Sequence, residues 1–168
     1  MANTRVLRVE GLHELEALRR DLLQQADGRH RTLMLRRELR EAARPMLLKI
    51  RSAVLGTRSR NQNARRGRPS LRMEIAKAAT LEVRTARHPS VSVFINPRKM
   101  PDGKKAMPEY YEGSPPYTRL RHPLFGNRDY WYLQPPHPYF TDEVRDAELR
   151  AAKAVDTVIN KTARDLEG

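Results

Sequence analysis

No aromatic ring occurs before Phe94 in this 168-residue chain, although ten follow from there on. Aromatic side chains carry the largest apolar surface a core can use. A first half without them must build its core on aliphatic helix faces, and a core of large rings belongs to the second half. The rings are densest in Arg121-His122-Pro123-Leu124-Phe125-Gly126-Asn127-Arg128-Asp129-Tyr130-Trp131-Tyr132, which holds the single Trp. Pro123 fixes its own φ and pushes His122 out of the α region, so the chain is extended there. Gly126-Asn127 accepts positive φ and predicts a tight turn. Tyr130-Trp131-Tyr132 then suits a strand. This stretch reads as a structural turn and core first, and as a docking surface second.

The helical pattern begins early. Leu12, Leu15, Leu18, Leu22 and Leu23 fall at helical spacing, and Asp27-Gly28 stops that helix. A short strand is expected before it, around Val6, Leu7 and Val9. A second helix starts near Arg29 to Thr32, with Leu33, Leu35, Leu39, Ala42 and Ala43 on its inner side. Met46, Leu47, Ile50, Val54 and Leu55 continue the pattern to Gly56. Pro45 lies inside it and predicts a kink or a break near Arg44. An unbroken helix of that length would span roughly 40 Å and overhang a small core, so packing on a neighbouring subunit is expected.

From Thr57 to Ser70 the chain is polar and free of acid, with Arg58, Arg60, Arg65, Arg66 and Arg68. It reads either as a plain connector or as an arm that orders on phosphate or an acidic partner. Ser70 is a candidate N-cap for a short helix bearing Leu71, Ile75 and Ala78. Leu81 to Thr85 and Ser90 to Ile95 alternate as the two strands of a hairpin. Arg98 to Arg121 reads as a long irregular excursion, with Tyr110, Tyr111 and Tyr117 as contact residues for a neighbouring subunit. Glu109 and Glu112 in it read as a solvated pair. Gln134 to Phe140 is a stiff connector. Thr141 is the expected cap of a last helix with Val144, Ala151, Val155, Val158, Ile159 and Leu166 on one face, lying against the sheet and pinned by Tyr139 and Phe140.

The length predicts one domain over 1–168, with a helical part to residue 56, an Arg-rich loop over 57–70 and the remainder over 71–168. Absence of cysteine excludes disulfides and thiolate metal sites and suits a reducing compartment. No signal peptide or membrane span is expected. The net charge of +13 is uneven: residues 1–84 carry 20 Lys/Arg against 9 Asp/Glu, and residues 85–168 carry 13 against 11. Such a half wants a polyanionic neighbour, unless the charge is simply solvated. Three of the five histidines precede proline, and no metal-ligand spacing or nucleophile elbow occurs. Neither an enzyme nor a cofactor is expected. No zinc finger, RNA-recognition strand motif or short helix-turn-helix is present either, so basic charge supports only sequence-blind phosphate contact.

Several segments together carry a family likeness. They are Arg66-Gly67-Arg68-Pro69-Ser70-Leu71-Arg72, the hairpin, His122-Pro123-Leu124-Phe125-Gly126-Asn127, Trp131-Tyr132-Leu133-Gln134, and His137-Pro138-Tyr139-Phe140 ahead of an amphipathic helix. Over about residues 30–166 the chain resembles the tail-completion, or minor-tail, neck proteins of long-tailed bacteriophages, especially those of actinobacterial hosts. The resemblance implies an α+β subunit: a small antiparallel sheet flanked by a long kinked N-terminal helix and a C-terminal amphipathic helix. It implies a structural virion protein without activity, located in the neck and in host cytoplasm during assembly. Its partners would be copies of itself in a ring and the adjoining neck, connector and tail-tube proteins. Six copies are the first expectation and twelve the second. The ring contacts are expected from the 98–120 loop and the kinked helix. His122, Pro123, Phe125, Gly126, Trp131, Pro138 and Phe140 would form the structural motif. The arm of Arg58, Arg60, Arg65, Arg66, Arg68 and Arg72 would face packaged DNA or an acidic neighbour. The alternatives are a free nucleic-acid-binding protein and the tail terminator of the same neck.

Overall fold

The computed structural model describes residues 6–9, 13–25, 27–57, 69–86, 90–114, 119–124 and 127–167. The protein is α+β. In order, the elements are β1 (Val6–Val9), α1 (His13–Gln24), α2 (Gly28–Gly56), α3 (Leu71–Ala78), β2 (Ala79–Arg84), β3 (Ser90–Ile95), a 3-10 turn (Pro97–Lys99), α4 (Met107–Glu112), β4 (Leu120–Leu124), β5 (Asn127–Gln134) and α5 (Tyr139–Glu167).

Two helices of 29 residues each, α2 and α5, form the frame. The inner stripe of α2 is Leu35, Leu39, Ala43, Met46, Ile50 and Val54, all buried. Their spacing follows the helical period. Ala151, Val155 and Ile159 of α5 join the same core. Glu38 pairs with Lys161 at 3.7 Å and Lys49 with Glu143 at 3.4 Å. As α2 advances from 38 to 49, α5 runs back from 161 to 143, so the two helices are antiparallel.

Of the kink or break expected near Arg44, the break does not occur: α2 continues through Pro45. Pro45 lies on the exposed side, where the carbonyl one turn back can turn to water. Nor does α2 overhang the core. It is packed by α1, α3, α5 and the sheet of its own chain, so its length is no argument for a neighbouring subunit. Its turn from α1 is tight. A Cβ on Gly28 would stand 2.3 Å from the Leu22 carbonyl oxygen, so glycine is required by this close approach. At the other end, the Arg72 Nη1 donates to the carbonyls of Leu55 and Thr57, satisfying helix-end acceptors.

Ser70 caps α3 as its sequence position suggests, accepting from the Met73 N–H. The predicted hairpin is present, with β2 and β3 antiparallel from Ala79↔Ile95 to Arg84↔Ser90. β1 adds to the far side of β3, making the sheet order β1-β3-β2. Val83, Val91, Val93 and Ile95 are buried with the α2 stripe in one cluster. Arg51 ties α2 to the start of β2 through a 3.0 Å bond to the Ala79 carbonyl.

The excursion after Arg98 is more regular than its prolines suggest. The 3-10 turn begins it, α4 follows, and β4 starts at Leu120. Gly113 ends α4 with φ +79° in the left-handed region that favours glycine. A Cβ there would also meet the Pro136 ring at 2.2 Å. The second sheet consists of β4 and β5 alone. The last helix also differs from expectation. It begins at Tyr139, ahead of Thr141, and packs mainly along α2 rather than on the sheet. Tyr139 and Phe140 are buried at its start, as expected.

Candidate docking surface

Among the described residues, no side chain of the Trp-bearing stretch is fully buried in the core of the second half. Its rings are Tyr111, Tyr139 and Phe140, and Tyr111 lies 5.9 Å from Tyr139 and 5.4 Å from His137, centre to centre. The His137 N–H donates to the Tyr111 carbonyl at 2.8 Å, closing the connector over α4. Tyr111 is therefore a core residue and is removed from the expected subunit contacts. Tyr110 is half-buried, and Tyr117 lies outside the described residues.

Glu112 is the second correction in this region. It is 5% exposed, not solvated. Its carboxylate accepts from the Phe140 and Thr141 N–H groups, each at 2.9 Å, and from the Thr141 hydroxyl. The first turn of α5 leaves N–H groups without helical partners, and a negative charge at that end suits the helix dipole. Glu112 thus supplies the cap that Thr141 was expected to supply. Glu112 also lines a small pocket with Ile95, Pro97, Lys105, Pro108, Glu109, Ser114, Tyr139 and Phe140. It has room for little more than a water molecule. Burial pushes the Glu109 carboxyl up from its ordinary value. No group of three His, Asp or Glu residues stands at metal-binding distances among the described residues. No described helix is long and apolar enough to cross a membrane.

The Trp stretch itself forms a projecting ribbon. β4 and β5 pair from Leu120↔Gln134 to Pro123↔Trp131, and the register shifts between Pro123 and Leu124. Pro123 has no N–H to give, which suits a bulge in a strand with a free edge. Both strands contact each other far more than the rest of the fold. Tyr130 is 66% exposed, Trp131 48% and Leu133 47%. Partners across the ladder share a face, so Arg121, Pro123, Trp131 and Leu133 stand on one side of the ribbon. The Arg121 guanidinium lies 4.7 Å from the Trp131 ring centre, a cation–π contact at the surface. Arg119 and Arg128 are exposed as well. An apolar and basic ribbon of this kind is a contact surface in form, since two strands alone are marginal in water.

The remaining motif residues scatter. Pro138 is exposed and Phe140 buried, while the side chain of His122 and all of Phe125 and Gly126 lie outside the described residues. Arg58, Arg60, Arg65, Arg66 and Arg68 lie outside them as well, and Arg72 serves the end of α2. A basic surface unremarked in the sequence reading is the outer side of α2. Arg29, Arg31, Arg36, Arg37, Arg40 and Arg44 of α2 are all exposed, and Arg36, Arg40 and Arg44 follow one another at four-residue spacing, with Arg44 paired to Glu41.

No family profile, characterised protein or solved structure matches the chain.

Proposed function

We propose that this protein is a structural component of the bacteriophage head–tail neck, one copy of a ring that joins the head connector to the tail tube. The observation that carries this reading is the β4–β5 ribbon. Among the segments bearing the family likeness, Trp131-Tyr132-Leu133-Gln134 presents exposed Trp131 and Leu133 beside Tyr130, a surface suited to contact. The pocket beside Glu112 is too small for a substrate, and its carboxylate is engaged in holding α5. In this role the chain works by binding alone. Its place is the neck of the virion, with the host cytoplasm as the site of assembly.

The test is genetic and direct. A phage lacking this chain should accumulate filled heads and finished tails that do not join, seen by electron microscopy. Purified virions should contain the protein at about six or twelve copies, counted by quantitative mass spectrometry. Virions without it would end the reading.

The arginine stripe of α2 favours a second reading, sequence-blind binding to nucleic acid. Retention of duplex DNA that falls steeply with salt and ignores sequence would mark phosphate contact. A tight complex of single copies with DNA, formed without self-association, would favour this alternative over the ring.

A further inference from the structure

Between Gly28 and Leu48, α2 carries six arginines, no lysine and two acids. Both acids are engaged, Glu38 with Lys161 and Glu41 with Arg44. Arg29, Arg36, Arg37 and Arg40 are exposed, and among the described residues no acid pairs with them. At 3.6 residues per turn these four leave the helix within an arc of about 100°, along roughly 16 Å of its axis. Guanidinium groups gathered this closely repel one another, and a dense negative partner relieves that repulsion.

The composition of the face chooses among polyanions. An anionic membrane surface is gripped by Trp, Tyr or Phe beside the cations, and α2 has no aromatic ring. Single-stranded nucleic acid is held by stacking its bases on such rings, so it is disfavoured for the same reason. A protein interface is built around an apolar centre, and between Arg29 and Arg40 this arc holds one apolar side chain, Leu33. A DNA duplex offers phosphates without a break, about one charge per 1.7 Å of axis, and the planar guanidinium takes a phosphate by two hydrogen bonds. A helix is about 10–12 Å across, close to the ~12 Å major groove of B-DNA, whereas the major groove of A-form RNA is too narrow. Arg36 and Arg37 leave the helix about 100° apart, which suits the two rims of such a groove.

We infer that the face of α2 bearing Arg29, Arg36, Arg37 and Arg40 binds duplex DNA through its phosphates, without regard to base sequence. This rests on the nucleic-acid reading of the arginine stripe, and narrows it to four side chains and one form of the polymer. It uses neither the ribbon nor any contact between copies.

The experiment is a fluorescence-anisotropy titration of the full chain against a labelled duplex of about 20 base pairs, two turns of DNA. Each phosphate contact contributes about 0.9 to the slope of log affinity against log salt. Replacing Arg36, Arg37 and Arg40 by Gln should therefore flatten the slope by about 2.7. Between about 50 and 200 mM salt, wild type should lose about 40-fold more affinity than this variant. Residues 58–68 are the same in both proteins, so the difference belongs to α2. Replacing the same three by Lys, which keeps the charge, should restore the slope, and Leu33→Ala should bind as wild type does. Far-UV circular dichroism checks that each variant is folded. A Gln variant with the wild-type slope overturns the inference, as does wild type that leaves the duplex unbound at about 50 mM salt. Leu33→Ala that weakens binding as much as the Gln variant marks an apolar contact and overturns it too. Labelled polyglutamate, single-stranded DNA or duplex RNA bound as tightly as duplex DNA overturns the choice of partner. Virion content and copy number judge the ring separately, so either reading can fail alone.

Discussion

Glu112 does for α5 what Ser70 does for α3, but from 28 residues away. Its two oxygens hold three donors of the first turn, in a place where water does not replace them. Glu112→Ala is expected to cost roughly 2–4 kcal/mol, because buried N–H groups lose a charged acceptor. Glu112→Gln should cost less, since one oxygen remains to accept. Urea unfolding followed by circular dichroism measures both, with an unchanged slope and a lower midpoint as the signature. Sequence gave Ser70 correctly and Glu112 wrongly for the same reason. The Ser70 cap is local, and its pattern is written within four residues. The Glu112 cap depends on how α4 folds against α5, and Thr141 beside two acids imitates a local cap convincingly. The aromatic run at Tyr130 to Tyr132 misled in a similar way: ring type signals a strand but not which side of the fold it faces.

At the scale of elements, the antiparallel pairing of α2 and α5 carries most of the structure. Ile50 is fully buried between its neighbours, and Ile50→Ala should lose about 2–5 kcal/mol through the cavity it leaves. By contrast, Lys161→Met at the exposed end of the pair should change stability by no more than about 0.5–1 kcal/mol. Pro45→Ala restores a helical hydrogen bond on the exposed side of α2 and is expected to raise stability by roughly 1–3 kcal/mol. Chemical denaturation of the three variants against wild type ranks these effects. Both long helices were legible because their apolar residues keep helical spacing for many turns. The β2–β3 hairpin was legible because its residues alternate. α4 was hidden, since six residues give too little periodicity to stand out among prolines. The partner of β1 was hidden as well, because a strand of four residues does not specify which distant edge it joins.

For the whole molecule, the α+β class was what the family resemblance implied, and the fold has it. Where the surfaces face did not follow, because exposure is settled by long-range packing. The arm at 58–68 offers a test that bears on assembly alone. Reversing Arg65, Arg66 and Arg68 to Glu should leave the fold intact, read as an unchanged far-UV circular dichroism spectrum. The same variant should yield heads and tails that fail to join, and infectious particles at wild-type titre would remove the arm from the process.

The sheet order has a consequence for biosynthesis. β1 emerges first, yet its ladder partner β3 lies more than 80 positions downstream, as the pairing of Val6 with Phe94 fixes. At about 5–20 residues per second, translation leaves the opening strand alone for several seconds. During that interval α1 and α2 are already synthesised, so the nascent chain carries β1 without its ladder partner until residues 90–95 arrive to receive it.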